Sequence, residues 1–282
     1  MITKIHHVGA VVRSADEALR FWRDALGLEV TADRVIEDQG VRGVLLKIGN
    51  SEIELLEPTR DDTGVARFLE TRGEGMHHIC FESDDVSAEL KRAAGKGLEL
   101  IDAAPRPGLA GMIGFLHPKA NHGVLVEFAT PPAGERHNGH APAQGIGATH
   151  VDHVVIGSNR SADTAKHFST SYDIEIKRTM SRPGTGAHME FAKLDEVVLE
   201  FAGPGTPPDD EAPKASLRGV VLAVRNAKAA VARVRLAGYD VTDPNPAVQP
   251  TAVISAVKAG TNGVPFAMIQ YGARPADAPA NQ

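Results

Sequence analysis

Short apolar runs, separated by polar and turn-forming stretches, recur in one order four times along the chain. Strand-like runs open the four repeats, and they read HHVGAVV at 6–12, HHICFES at 77–83, DHVVIGS at 152–158 and RGVVLAV at 218–224. Apolar runs close them, namely IELLEP at 53–58, VLVEFA at 124–129, VLEFAG at 198–203 and PFAMIQYG at 265–272. The glutamates of the first three closing runs, Glu54, Glu127 and Glu200, are equally spaced along the chain. Such self-similarity indicates copies of one structural unit.

A helix is predicted after each opening strand. In the first repeat Ser14 and Glu17 have the spacing of a capping box, and Gly27 suits the end of the helix. In the third repeat Ser161 is the predicted cap. The other predicted helices cover 86–94 and 226–238, with a joining helix over 63–73. With further strands such as 43–49 and 189–194, each repeat has the order β-α-β-β-β.

Two stretches lack any periodicity and predict the domain boundaries. Residues 131–147 are rich in Pro, Gly and Ala and read as a linker, and residues 273–282 read as a tail. The predicted domains are therefore 1–130 and 148–272, each made of two repeats. The expected fold class is α+β, with curved, incompletely closed mixed sheets.

Composition narrows the partners and the compartment. The 282 residues are 42% hydrophobic and 23% charged, and their formal net charge of −6 argues against a nucleic acid or an anionic membrane as the main partner. The single cysteine, Cys80, excludes an intramolecular disulfide, which fits a reducing compartment. No apolar run approaches the length of a membrane span, and the start has no signal-peptide pattern. A cytoplasmic protein is expected, with a small molecule as its partner.

The first two repeats place histidines and carboxylates at matching positions. His7 and His78 stand in the opening strands, and Glu54 and Glu127 in the closing strands. If the two repeats share one curved sheet, these four side chains converge. Two imidazoles and two carboxylates suit one Zn²⁺, Ni²⁺, Co²⁺, Fe²⁺ or Mn²⁺ ion, with positions left for substrate oxygens. Carboxylates buried among Leu, Ile and Val without a counter-charge would be costly, which favours this interpretation.

The neighbouring histidines and the second half do not extend this predicted site. His6 and His77 precede the two ligand histidines, and strand alternation predicts that they point the other way. His153 and Glu200 repeat half of the ligand set. In the fourth repeat the position of His78 is taken by Gly219 or Val220. Near the position of Glu127 that repeat has only Gln270. One metal site per chain is expected, and the second domain is expected to be degenerate.

These motifs resemble the vicinal oxygen chelate superfamily, the glyoxalase, bleomycin-resistance and dioxygenase proteins. Residues 1–130 look most like methylmalonyl-CoA epimerases, through the stretches EDQGVRGVLLKIGNSEIELLEPTRDD, RGEGMHHICFE and IGFLHPKANHGVLVEFA. The resemblance implies that His7, Glu54, His78 and Glu127 are the metal ligands. It also implies two tandem domains of this fold and a metal-dependent isomerase that forms an enediolate from a malonyl-type thioester, such as an acyl-CoA.

The resemblance leaves the base and the binding residues open. Bacterial relatives often carry a glutamate, proposed as a base, where this chain has Gly43, so Glu127 is the remaining candidate base. Lys119 is a candidate for an acidic group of the substrate. The alternatives are a glyoxalase I-like lactoylglutathione lyase, an extradiol-type dioxygenase and a ligand-binding, resistance-type protein without catalysis. The oligomeric state, monomer or homodimer, is not fixed.

Overall fold

A computed structural model describes residues 1–133, 145–182 and 184–273. Each repeat folds as one β-α-β-β-β module. The strands of the first two modules are β1 Ile2–Val11, β2 Glu29–Ile36, β3 Val41–Ile48, β4 Ser51–Pro58, β5 Gly75–Ser83, β6 Arg106–Gly108, β7 Gly111–Leu116 and β8 Leu125–Thr130. Those of the last two are β9 Ala148–Ser158, β10 Ile176–Arg182, β11 Ala187–Leu194, β12 Val197–Pro204, β13 Ala215–Val224, β14 Asn245–Pro246, β15 Val253–Val257 and β16 Phe266–Gln270.

The strands form two mixed sheets with the same order. One sheet runs β2-β3-β4-β1-β5-β8-β7-β6, and the other runs β10-β11-β12-β9-β13-β16-β15-β14. In both sheets the opening strands of two modules are neighbours at the centre. Opening and closing strands of a module run parallel, as in β5 with β8 and β9 with β12. The predicted α+β class, with two mixed sheets each built from two modules, is thereby confirmed.

Five helices accompany the strands in the part of the chain that the structure describes, and one of the two predicted caps is confirmed. They are α1 Ala15–Leu19, α2 Gly64–Arg72, α3 Val86–Gly95, α4 Ser161–Tyr172 and α5 Ala227–Leu236. Ser14 accepts a hydrogen bond from the N–H of Glu17, as predicted. The prediction for Ser161 is wrong, because Ser161 is already helical and the cap position is Arg160. Ser158 supplies the local hydroxyl instead, and its Oγ accepts from the N–H of Arg160.

The first helix also departs from a regular α-helix. After α1 the chain continues as a π-helical segment, Arg20–Ala25. The wider turn buries two consecutive aromatic side chains, Phe21 and Trp22, both of which contact the ring of Phe266 edge-on. Apolar periodicity predicts the helix but not this local widening.

By compactness the chain divides into two units, each with its own core. One unit is built mainly from the second and third modules. In it the ring of Tyr172 packs near Phe81 and Phe128. Lys96 Nζ, at the end of α3, donates to the carbonyl oxygens of Thr170 and Ser171 at 2.8 and 3.0 Å. These contacts supply hydrogen-bond donors to carbonyl groups that have no partner within the helix at the end of α4.

The other unit combines the first and fourth modules. Its core is aromatic where Phe21 meets Tyr239 and Phe266, with ring centroids 4.9 and 5.4 Å apart. Arg233 of α5 donates through Nε to the carbonyl oxygen of Ala25 at 2.8 Å. Modules far apart in sequence therefore share one packed core.

The predicted domain bounds remain a proposal. Most of the predicted linker 131–147 and all of the predicted tail 273–282 after Ala273 lie outside the described residues. Among the residues that the structure describes, no helix is both long enough and apolar enough to span a membrane.

Candidate metal centre

The four predicted ligands come from four strands of the first sheet. His7 lies in β1, Glu54 in β4, His78 in β5 and Glu127 in β8. One ligand atom from each of them lies within 4.8 Å of the others. Their relative exposures are 0%, 6%, 1% and 3%, so the set is buried among the apolar side chains of the sheet. The structure therefore brings together every residue of the predicted ligand set.

Three of the ligand atoms form a nearly equilateral triangle. His7 Nε2 and His78 Nε2 are 2.9 Å apart, and Glu127 Oε2 lies 3.0 Å from each of them. Ligands about 2.1 Å from a common ion lie about 3.0 Å apart when they meet at right angles, and about 3.4 Å apart in a tetrahedron. The triangle therefore has the dimensions of one face of an octahedron, and the nitrogen and oxygen donors suit a borderline or hard divalent ion.

Hydrogen bonding alone does not account for this triangle. Oε2 of Glu127 is buried and accepts no hydrogen bond from the residues that the structure describes, although two imidazole nitrogens lie beside it. A buried carboxylate oxygen without a partner is costly. A cation at the meeting point of the three atoms would satisfy the oxygen and both nitrogens at once. The residues present fit a divalent metal.

The electrostatics keep Glu127 ionised. Burial raises the pKa of its carboxyl group, but the neighbouring imidazoles of His7 and His78 outweigh burial and hold that pKa well below its ordinary value. A carboxylate that stays charged at neutral pH is ready to bind a cation. The same low pKa makes it a weak proton acceptor.

Short contacts also involve the two histidines that were predicted to point away. The Nδ1 atoms of His6 and His7 are 2.9 Å apart, and those of His77 and His78 are 3.0 Å apart. The expectation from strand alternation is therefore wrong for the ring ends. A side chain as long as histidine can reach a neighbour's ring nitrogen even when the Cα–Cβ bonds diverge. The doubled motif HH at 6–7 and 77–78 is the signal that could have indicated it.

The structure adds an arginine that the sequence analysis missed. Arg106 in β6 lies over the ring of Phe115, with 5.6 Å from Cζ to the centroid, and Phe115 contacts the His78 ring at 5.4 Å. Its Nε donates to Asp102 Oδ1 at 3.0 Å, whereas its buried Nη1 has no hydrogen-bond partner among the described residues. An unused N–H of a fixed guanidinium suits a carboxylate.

Lys119 and Gly43, the other two positions discussed from the sequence, are less favourably placed for binding or proton transfer. Lys119 is exposed on a 3-10 helix, Pro118–Asn121, where its backbone N–H donates to His117 Nδ1. Gly43 lies in β3 opposite Leu56 and offers no side chain to the site.

The second sheet repeats the scaffold with fewer ligands. His153 Nε2 and Glu200 Oε2 are 3.8 Å apart. In the second and third modules each closing-strand glutamate pairs with the residue two after the histidine, as Glu127 does with Cys80. By the same register Gly219 and Ala267 hold the equivalent positions in the fourth module, since Val221 pairs with Ala267. Gln270, suggested from the sequence, instead accepts a hydrogen bond from the N–H of Ala227 at the start of α5.

Comparisons with known proteins find relatives of the N-terminal region. The Glyoxalase/Bleomycin resistance protein/Dioxygenase superfamily profile matches residues 6–115. An ethylmalonyl-CoA/methylmalonyl-CoA epimerase of Cereibacter sphaeroides is 36% identical over 131 residues, 45% of this chain and 98% of that protein. A solved methylmalonyl-CoA epimerase in complex with methylmalonyl-CoA and NH4+ is 41% identical over 47% of this chain and 97% of its own, with a TM-score of 0.46.

A further solved structure extends the similarity of fold to the full chain. A mutant 4-hydroxymandelate synthase from Streptomyces coelicolor matches 99% of this chain and 95% of its own, with a TM-score of 0.72 and 17% identity. That likeness concerns the fold alone. The chain belongs to the glyoxalase/bleomycin resistance protein/dioxygenase superfamily, and its N-terminal region is similar in sequence to methylmalonyl-CoA epimerases.

Proposed function

We propose that the protein is a divalent-metal-dependent epimerase acting on a 2-substituted malonyl-type thioester. The observation that carries this proposal is the buried set of two imidazoles and two carboxylates, whose triangle has octahedral dimensions. The similarity of the same region to an ethylmalonyl-CoA/methylmalonyl-CoA epimerase supports the choice of substrate class.

In this proposal His7, Glu54, His78 and Glu127 hold the metal. When bound, the ion would supply Lewis acidity to the thioester and carboxylate oxygens of the substrate, and so make the proton on the carbon between them easier to remove. Two glutamates balance the charge of a divalent cation, so an anionic substrate meets a site that is neutral overall. Burial of all four side chains keeps the local dielectric low, which strengthens each electrostatic contact.

Proton transfer needs a base on one face of the substrate and an acid on the other. Glu127 as the base remains a prediction, and its lowered pKa argues for a role as ligand rather than as proton acceptor. Gly43 has no side chain that could replace it. In our proposal Arg106, rather than the exposed Lys119, binds the acidic group of the substrate through the unused Nη1.

The test is proton exchange at the α-carbon. The metal-reconstituted protein is incubated with methylmalonyl-CoA in deuterated water, and α-deuterium is followed by mass spectrometry. We expect incorporation with the wild-type protein and none with His78→Ala, while Arg106→Gln should raise the KM more than it lowers kcat. Absence of exchange across a panel of malonyl-type thioesters, in protein shown to contain metal, would overturn the proposal.

One observation favours a second candidate. His7, His78 and Glu127 form a face of two histidines and one carboxylate, the arrangement found in non-haem iron oxygenases. The buried Glu54 at the same centre distinguishes the two proposals, because a fourth protein ligand leaves fewer positions for oxygen and substrate. Oxygen consumption by the iron(II)-loaded protein with a 2-oxo acid or a catechol, without α-proton exchange, would favour the oxygenase. Activity with methylglyoxal and glutathione would favour the lyase instead.

A further inference from the structure

Four imidazoles follow one another through the centre of the first sheet. His6 contacts His7 through Nδ1, His7 contacts His78 through Nε2, and His78 contacts His77 through Nδ1, at 2.9, 2.9 and 3.0 Å. Consecutive rings stand nearly perpendicular, at 86°, 87° and 86°. The arrangement is nearly symmetric about the contact between His7 and His78, although the two histidine pairs come from different modules.

The distances, together with a bound metal, determine which nitrogen carries the proton. Two ring nitrogens at 2.9–3.0 Å repel each other unless one of them donates a hydrogen bond. A neutral imidazole that offers the Nε2 lone pair to a cation carries its proton on Nδ1. His7 and His78 are therefore the donors when metal is bound. His6 and His77 accept through Nδ1 and carry their own protons on Nε2.

We infer that His6 and His77 are positioning residues that hold the two ligand imidazoles in the metal-binding tautomer and orientation. Ligand histidines in metalloproteins commonly donate their second N–H to a carboxylate or a carbonyl oxygen. Here the acceptor is a neutral imidazole. A neutral acceptor has an electrostatic consequence. Glu54 and Glu127 already balance the charge of a divalent ion, so a carboxylate as acceptor would leave buried negative charge in excess.

Simple ring packing does not explain the geometry as well. Perpendicular rings pack favourably in many rotations, most of which would not bring two like nitrogens to hydrogen-bond distance. Here the like nitrogens meet in both pairs, on strands β1 and β5. His6 is 5% exposed, so its hydrogen bond to His7 is largely protected from competing water.

This inference depends on the proposed metal site but not on the reaction, and metal affinity tests it directly. His6→Phe and His77→Phe keep a ring of similar size and remove the acceptor nitrogen. His6→Asn and His77→Asn keep an acceptor near the position of Nδ1. His167→Phe is the matched control, because His167 is a half-buried histidine that contacts Asn121 rather than a ligand. Dissociation constants for Co²⁺ and Zn²⁺ are measured by chelator competition, with the thermal midpoint of each metal-free variant as the check of folding.

Each Phe variant should bind metal about 10- to 100-fold more weakly, as is typical when a ligand histidine loses its outer hydrogen bond. Each Asn variant should recover most of that loss, and His167→Phe should match the wild type. Phe variants with wild-type affinity would overturn the inference. So would Asn variants as weak as the Phe variants, because ring packing would then be the cause. A wild-type protein without measurable affinity would overturn the proposed function as well, whereas tight wild-type binding with unaffected variants would overturn this inference alone.

Discussion

The two halves of the chain have the same strand order but very different polar centres. In the first half two histidines and a glutamate meet at 2.9–3.0 Å, with Glu54 beside them. In the second half His153 and Glu200 are 3.8 Å apart. The other two equivalent positions, Gly219 and Ala267, carry no ligand atom.

The difference shows what the scaffold provides and what it does not. In both halves an opening and a closing strand pair in parallel, and the glutamate of the closing strand lies opposite the residue two positions after the histidine. A full ligand set requires the same pair from two modules. The second half keeps the backbone arrangement of the site but lacks two of the four ligand side chains. Its contribution is therefore expected to be structural.

The largest expected effect is on metal affinity, and it distinguishes His78 in the first half from His153 in the second. His78→Ala should weaken metal binding by more than about 100-fold, beyond the usual cost of losing an outer hydrogen bond, because a ligand itself is removed. His153→Ala should leave affinity and a stoichiometry of one metal per chain unchanged. Elemental analysis after dialysis and chelator competition measure both. Equal losses in the two variants would contradict the assignment of the site to the first half.

A smaller effect tests the structural role of the second half. Tyr172 in α4 donates through its hydroxyl to Asn121 Oδ1, and burial raises the pKa of this tyrosine, which keeps it a donor. Tyr172→Phe keeps the ring packing and removes that donor, so the free energy of unfolding should fall by about 1–2 kcal/mol. Metal affinity should not change. Urea unfolding with and without metal separates the two quantities, and a parallel loss of affinity would count against a purely structural role.

The smallest effect is confined to acid solution and compares the two glutamates. Because the folded pKa of Glu127 lies below its ordinary value of 4.5, the ionised carboxylate stabilises the metal-free protein above pH 4.5. That stabilisation is lost as the pH falls from there through the lowered folded pKa. Glu127→Gln should therefore lose less stability than the wild type between pH 5 and pH 3. Glu200→Gln makes the same substitution in the second half, and urea unfolding of both variants and the wild type at each pH measures the comparison.

Periodicity and repetition predict most of the scaffold. The matched runs around His7, His78, Glu54 and Glu127 predict both the strands and the ligand set, because a β-strand fixes the direction of each Cβ. The cap at Ser14 follows from local hydrogen-bonding rules that act within one turn. These features depend on neighbours in sequence or on one repeated backbone.

The features that the sequence did not predict depend on contacts between distant residues. The π-helical segment at Arg20–Ala25 fits two adjacent aromatic rings against Phe266, which no local pattern encodes. The contacts of His6 and His77 depend on side-chain torsions rather than on strand alternation. Arg106 became a candidate only when its position over Phe115 was known. The cap prediction at Ser161 failed because the cap position is one residue earlier, at Arg160, which makes no side-chain capping hydrogen bond.

The shared core of the first and fourth modules also has a consequence for the order of folding. Phe21 and Trp22 complete their packing on Phe266, and Arg233 bonds to Ala25 across 208 residues of sequence. During synthesis these packing partners of the first module are therefore made long after the module itself. The middle modules are adjacent in sequence and can pair sooner, since short loops close more readily than long ones. Synthesis from one end to the other would thus complete the packing between the second and third modules before the packing between the first and the fourth.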